Sequence, residues 1–228
     1  MSNASSIAAG RLYRILDFHR VVQIFETESL YFSHPRVWDD PYEQHVIHAQ
    51  SHAIFAQCWC RIGVSDAMWR IYSPNFMGVR IGTSTKTLSR AVKMAIKDSG
   101  FQWRGDEVAY LSQFDLHQKV ARTTQELENN FDVDMAVGLL YAKREAFEHE
   151  NEWRATVFCP KEDPGNPKDG IAIKVNPHAV IDSILLDPRA PKELVDAFKF
   201  YFKSKLNFRK KVEASVLYKK PKQIVLGK

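Results

Sequence analysis

The sequence predicts an α+β fold: a single domain of short mixed or antiparallel strands with flanking helices. Three observations carry that expectation. Apolar residues make up 45% and aromatic residues 12% of the 228 positions, enough to bury a full core. Short apolar runs, such as RLYRIL at 11–16 and AIFAQCWC at 53–60, alternate with amphipathic helical stretches. No internal repeat or long linker interrupts them, so a frayed arm is expected over 1–10 and one domain over 11–228.

Taken in order, Arg11 to Leu16 reads as a strand, Phe18 to Glu28 as a helix and Leu30 to Ser33 as a second strand. Arg14 stands in that mostly apolar opening strand, where a guanidinium must find an anion. Glu150 or Glu152 would make the pairing structural, and a ligand phosphate or carboxylate would make it a binding site. In HPRVWDDPYE, Asp40 reads as a helix cap, Pro41 as the first helical residue and Glu43 as the acid three positions after the cap. His45, His48 and His52 would share a helical face, but seven residues of helix span roughly 10 Å, too far for all three imidazoles to hold one metal. No metal site is therefore expected.

Ala53 to Cys60 reads as a buried strand, with Cys58 and Cys60 on one face as core thiols and Trp59 on the other. Ser65 can cap a helix that places Met68, Trp69 and Tyr72 on adjoining positions, a set that suits a core or can hold a flat ring. Gly78 and Gly82 in the strand from Phe76 to Thr83 point to close backbone approach, and no GxGxxG pattern is present. Helices are expected over Thr85 to Ser99, Asp115 to Asn130 and Asp132 to Phe147, with a strand over Asp106 to Gln113. Further strands are expected at Ile171 to Val175, Val180 to Leu186 and Ala214 to Tyr218, and a last helix carries Leu194, Phe198, Tyr201 and Phe202.

The stretch YAKREAFEHENEWRATVFC, 141–159, organises the functional reading. From Glu150 onward it alternates strictly, setting Glu150, Glu152, Arg154 and Thr156 on one strand face and Asn151, Trp153, Ala155 and Val157 on the other. Carboxylates spaced roughly 6 to 7 Å apart on one face raise each other's proton affinity unless a cation such as Arg154 compensates. The same row also fits an edge strand with a solvated charged face.

The formal charge of +5 is concentrated toward the C-terminus, where Glu213 is the one acid between Lys199 and Lys228. Such a segment could attract a polyanion or serve solubility alone. Three cysteines do not suggest a disulfide framework, the N-terminus lacks the pattern of a signal peptide, and no stretch is long enough to cross a bilayer. A cytoplasmic protein with no membrane partner is expected.

The order RLYRIL, LYFSHPRVWDDPYE, CWC, SDAMWRIY, GVRI and EHENEWRA resembles the bacterial family known as domain of unknown function 2971, over roughly residues 11 to 218. More distantly it resembles ADP-ribosyltransferases, including toxins that modify DNA. That resemblance implies their fold, with NAD as co-substrate, Glu152 as catalyst and Glu150 as its helper in a Glu-x-Glu pattern. It also implies a cofactor-binding set of Tyr13, Arg14, Trp69, Tyr72 and Arg154, although Cys58-Trp59-Cys60 occupies the region of the family's Ser-Thr-Ser strand. The implied partners are an acceptor, nucleic acid or protein, and an antitoxin, in a toxin or phage-defence role. The competing expectations are a nucleic-acid-associated module using the basic C-terminal segment and a catalytically inactive interaction domain.

Overall fold

The computed structural model describes residues 10–44 and 47–221. Strand β1 (Arg11–Asp17), helix α1 (Phe18–Glu26) and strand β2 (Ser29–Ser33) open the chain, and α1 buries Val21, Ile24 and Phe25 against the sheet. After three single-turn 3-10 segments come β3 (Ile54–Cys60) and α2 (Asp66–Tyr72), the latter capped by Ser65, whose hydroxyl accepts from the Met68 amide. Next are β4 (Gly78–Ser84), α3 (Thr85–Ala95), β5 (Gln102–Glu107) and β6 (Ala109–Leu111). They lead to α4 (Gln113–Asn129), α5 (Val133–Gly138), β7 (Ala142–Arg144) and β8 (Glu152–Phe158). The chain ends with β9 (Gly170–Lys174), α6 (Pro177–Val180), β10 (Ser183–Leu186), α7 (Lys192–Phe200) and β11 (Lys211–Ala214).

Among the described residues nine strands form one mixed sheet in which β10 and β11 run parallel and the other neighbours antiparallel, while β6 and β7 pair apart from it. The sheet divides at β3. One edge of β3 is paired along its whole length with β8, from Ile54 opposite Phe158 to Cys60 opposite Glu152. The other edge meets β1 at Tyr13 opposite Cys60 and β2 at Ser33 opposite Ala56. Between those two points the strands part, and Gln57 fills in: its side-chain amide donates to the Tyr31 carbonyl at 2.7 Å and accepts from Trp59 Nε1 at 3.2 Å. A backbone carbonyl that lost its ladder partner is thus satisfied by a buried side chain.

The main core lies on the sheet face carrying Leu12, Phe55, Trp59, Ile81 and Trp153, packed under α1, α3 and α7. A smaller cluster of Ala53, Ile54, Val137, Tyr141 and Phe158 sits beneath α5.

The α+β class is observed, and so are the strand, helix, strand opening and the capped helix ending at Tyr72. Several local expectations are corrected, among them the strand from Asp106 to Gln113, where β5 ends at Glu107, β6 spans Ala109–Leu111 and α4 starts at Gln113. The helix expected from Asp132 to Phe147 is instead α5, a 3-10 turn, β7 and a second 3-10 segment, Glu145–Glu150. Glu150 ends that segment rather than starting the strand, because Asn151 adopts a left-handed conformation at φ 42°. Strand β8 is no edge strand, since β3 and β5 pair with its two sides and all its residues are buried. The last strand lies at Lys211–Ala214, ahead of the expected Ala214 to Tyr218. Residues 1–9 of the expected arm lie outside the described residues, as do His45 and Lys222 to Lys228. Residues around His48 and His52 form turns and a 3-10 segment, not the expected shared helical face.

Close approach at Gly78 and Gly82 is also observed: a Cβ at Gly78 would collide with the buried Ser73 side chain, and one at Gly82 with the Ser183 hydroxyl. Gly78→Ala is expected to destabilise the protein by about 1–3 kcal/mol, because Ser73 has no space to move into. Chemical denaturation of the purified variant checks this.

Candidate active site

Where β1 and β3 separate, a cleft opens with about 740 Å³ of empty space, counted out to its mouth. Strand β1 contributes Tyr13 and Arg14, β3 contributes Cys58 and Cys60, and α2 contributes Trp69 and Tyr72. Glu150 and Glu152 close the opposite wall. Six of the seven residues named from sequence therefore line one cleft. Arg154 does not; it lies behind the carboxylates with 0% of its side chain exposed.

Glu152, at the start of β8, is 3% exposed and held by two parallel hydrogen bonds: Arg154 Nε to Oε1 and an Arg154 terminal nitrogen to Oε2, both 2.8 Å. The same guanidinium donates to Glu43 Oε1 at 2.6 Å and to the Leu140 carbonyl at 2.5 Å, and it lies 4.6 Å from the centre of the Trp38 ring. Lys143 Nζ sits 2.6 Å from Glu150 Oε2, 3.6 Å from Glu152 Oε2 and 3.8 Å from Glu43 Oε2. Tyr72 donates its hydroxyl to Glu150 Oε1 at 3.0 Å, and the Glu152 amide donates to the Tyr110 hydroxyl at 2.8 Å.

These contacts set the charge states. Burial alone would raise the proton affinity of Glu152, but Arg154 and Lys143 more than offset it and hold the carboxyl below its ordinary range. For Glu43 burial prevails over the same two cations, and its pKa is raised. Burial works against the charge of Lys143, yet Glu43, Glu152 and Glu150 together keep it an ammonium. Burial and nearby Glu152 push the Cys58 thiol up, so it remains a neutral S–H that donates to Glu152. Burial also pushes Cys60 up to about 11, which leaves it a poor nucleophile.

Arg14 differs from the other cations. Its side chain makes no hydrogen bond or ion pair with any described residue. Burial lowers its pKa, and the residues whose charge it feels are Cys58, Tyr72 and Glu152 across the cleft. Neither Glu150 nor Glu152 pairs with it, because Lys143 and Arg154 already occupy them. Among the described residues no cluster of three or more His, Cys, Asp or Glu is arranged to hold a metal ion.

Sequence reading missed Glu43, Lys143 and Arg80. Asp40 does cap, accepting from the Tyr42 amide at 3.0 Å, but Glu43 turns inward to Arg154 instead of completing a capping box. Lys143 carried no periodic signal, since its strand spans three residues. Arg80 was findable: it sits in GVRI as Arg14 sits in RLYRIL, a guanidinium with an apolar or aromatic strand residue on each side.

Residues 68–155 match the model of a family described as "Protein of unknown function (DUF2971)". That span covers α2 through the first half of β8, and so includes Trp69, Tyr72, Glu150, Glu152 and Arg154 but not Arg14. The chain is also similar to structures of Thermus sp. 2.9 DarT. One is a complex with NAD+ (12% identity, TM-score 0.41, 90% of this chain and 95% of that chain covered). Another is a complex with carba-NAD+ (14% identity, TM-score 0.39, 90% and 95% covered). A third is a complex with ADP-ribosylated ssDNA (12% identity, TM-score 0.42, 90% and 94% covered). No curated protein matches the chain.

Two outcomes follow from the buried pairing. Arg154→Met leaves Glu43 and Glu152 without their shared partner and is expected to cost about 3–5 kcal/mol in denaturant titration. The depressed pKa of Glu152 means that its stabilising contribution is complete above the ordinary carboxylate range and is lost as pH falls through that range toward the depressed value. Glu152→Gln should therefore be less stable than wild type near neutrality and should lose stability less steeply as pH falls through and below the ordinary carboxylate range.

Proposed function

We propose that this protein is an ADP-ribosyltransferase-like enzyme that uses NAD as co-substrate, with the ADP-ribosyltransferase fold its sequence resembles. One observation carries the reading: an unpaired guanidinium, Arg14, and an ionised, immobilised carboxylate, Glu152, line the same cleft beside Trp69 and Tyr72. The cleft sets a few charged groups, Arg14, Arg80, Glu150 and Glu152, among apolar and aromatic side chains such as Ile15, Trp59 and Met68, the mix found in small-molecule sites. NAD supplies an ADP-ribosyl group whose bond to nicotinamide breaks with positive charge developing on the ribose.

Glu152 is placed to stabilise that charge, and its two bonds from Arg154 fix the carboxylate before the reaction starts. Arg14 binds the phosphate-bearing part by charge-assisted hydrogen bonds. Tyr72 packs against the flat ring with buried Trp69 behind it in the wall, and Tyr13 completes the wall on the side of β1. Glu150 receives the acceptor's proton; Tyr72 and Lys143 orient it. Arg154, assigned from the sequence to the cofactor, acts through Glu152 instead. The acceptor is a nucleic acid or a protein, and a toxin or phage-defence role with a cognate antitoxin in the cytoplasm fits this chemistry.

A nucleic-acid-associated module is the second reading, favoured by the exposure of Lys203, Lys205, Arg209, Lys211, Lys219 and Lys220. It lacks a recognition motif, and part of the charge is engaged, since Lys203 donates to the Lys210 carbonyl and Lys211 pairs with Glu213 at 2.9 Å.

Release of nicotinamide and transfer of labelled ADP-ribose test the proposal. Glu152→Gln is expected to lower the rate by about 10²–10³-fold. Arg14→Gln should remove the thermal shift that NAD gives wild type, about 2.7 kcal/mol of stabilisation at a hundred times Kd. Equal activity in folded Glu152→Gln and wild type would sink the assigned role.

A further inference from the structure

Arg80 lines the same cleft from β4, and nothing so far gives it a role. Like Arg14, its side chain makes no hydrogen bond or ion pair with any described residue. Its guanidinium lies over the Tyr13 ring, 4.5 Å from the centroid. A guanidinium stacked on a ring is attracted through its face, while its N–H donors point outward along its edge and remain available. Burial lowers its pKa, the nearby positive charge of Arg11 lowers it further, and Tyr13 and Cys60 oppose them.

Other partly or fully buried cations differ from this pair. Lys143, Arg154, Arg144, Arg189 and Arg11 each have a carboxylate in contact. Arg14 and Arg80 share one cleft without one. Both are half-buried, so their donors stay open to the cleft, where an entering anion can take them up. The sheet holds the two residues in fixed relation, since Arg14 is opposite Ile81 and Arg80 opposite Ile15 across the β1/β4 ladder. Adjacent positions on paired strands put the two side chains on opposite faces of the sheet at their origin, and the parting of β1 from β3 lets both reach one cleft.

We infer that Arg80 is a second anion-binding residue of this cleft, and that the ligand carries two anionic groups, as a diphosphate does, one met by Arg14 and one by Arg80. This rests on the transferase reading for the identity of the ligand as a dinucleotide, but not for its diphosphate chemistry. The full chain is titrated calorimetrically with inorganic pyrophosphate, inorganic phosphate and NAD, as wild type, Arg80→Gln and Arg80→Lys, and each unligated protein is thermally unfolded. Pyrophosphate is expected to bind more tightly than phosphate. Arg80→Gln should weaken pyrophosphate and NAD at least tenfold, with partial recovery in Arg80→Lys. Because Arg80 has no protein anion to lose, Arg80→Gln should unfold at the same temperature as wild type or a higher one.

Unchanged pyrophosphate and NAD affinity in Arg80→Gln overturns the inference, as does a drop in the unligated unfolding temperature with no loss of affinity. Nicotinamide release that persists at wild-type kcat/KM in Arg80→Gln overturns it while leaving the transferase reading intact. Arg80-dependent pyrophosphate binding without any NAD cleavage leaves the inference standing and removes the transferase reading.

Discussion

The twin hydrogen bonds between Arg154 and Glu152 are the constraint on which the site depends. Two ions on the same strand, two residues apart, are buried together, and neither could remain charged there alone. Their pairing is incomplete as a charge balance. Glu43, Glu150 and Glu152 share Lys143 and Arg154, so three carboxylates face two cations and the cluster carries an excess of one negative charge if all are ionised. The raised pKa of Glu43 relieves part of that excess, and the field of the remainder reaches Arg14 across the cleft. Electrostatic tension is thereby divided between a wall that is slightly too acidic and a pair of guanidiniums that have no acid of their own.

Much of this was legible in the sequence, for reasons that differ by residue. Arg14 was legible because a guanidinium in RLYRIL has no local way to be satisfied, and burial of such a group always raises the question of its anion. Glu152 and Arg154 were legible because strand alternation is a strict rule, and they do share a face. Glu150 was placed on that face for the same reason and escaped it because one asparagine turned left-handed, a choice that local chemistry permits without requiring. The helix expected up to Phe147 failed because propensity in YAKREAF gave way to tertiary demands: Ala142 pairs with Ala109, and Lys143 must reach three carboxylates. Glu43 was misassigned because its spacing from Asp40 satisfied a local rule, while its actual partner lies 111 residues away.

The aromatic groups show a similar split between local and distant causes. Trp69 is 2% exposed and Tyr72 is 41% exposed, though they stand one helical turn apart on α2. The first is anchored in the wall, with its carbonyl accepting from Arg189; the second leans over the cleft, its hydroxyl tied to Glu150. Burial, and then Glu150, raise the pKa of Tyr72, so the phenol stays protonated and continues to donate. Helical spacing identified both rings as neighbours, but only the surrounding structure separates a ring anchored in the wall from one that leans over the cleft.

The parting of β1 from β3 has a geometric corollary. Arg14 and Arg80 travel with one group of strands, β1, β4, β10 and β11, whereas Glu152 travels with β3, β8 and β5. In the ladder the two groups meet at one pair, Tyr13 and Cys60, and beneath it Leu12 and Trp59 join them through the shared core. The spacing between cations on one side and carboxylates on the other is consequently set by neutral residues at that junction, not by any bond between the charged groups themselves.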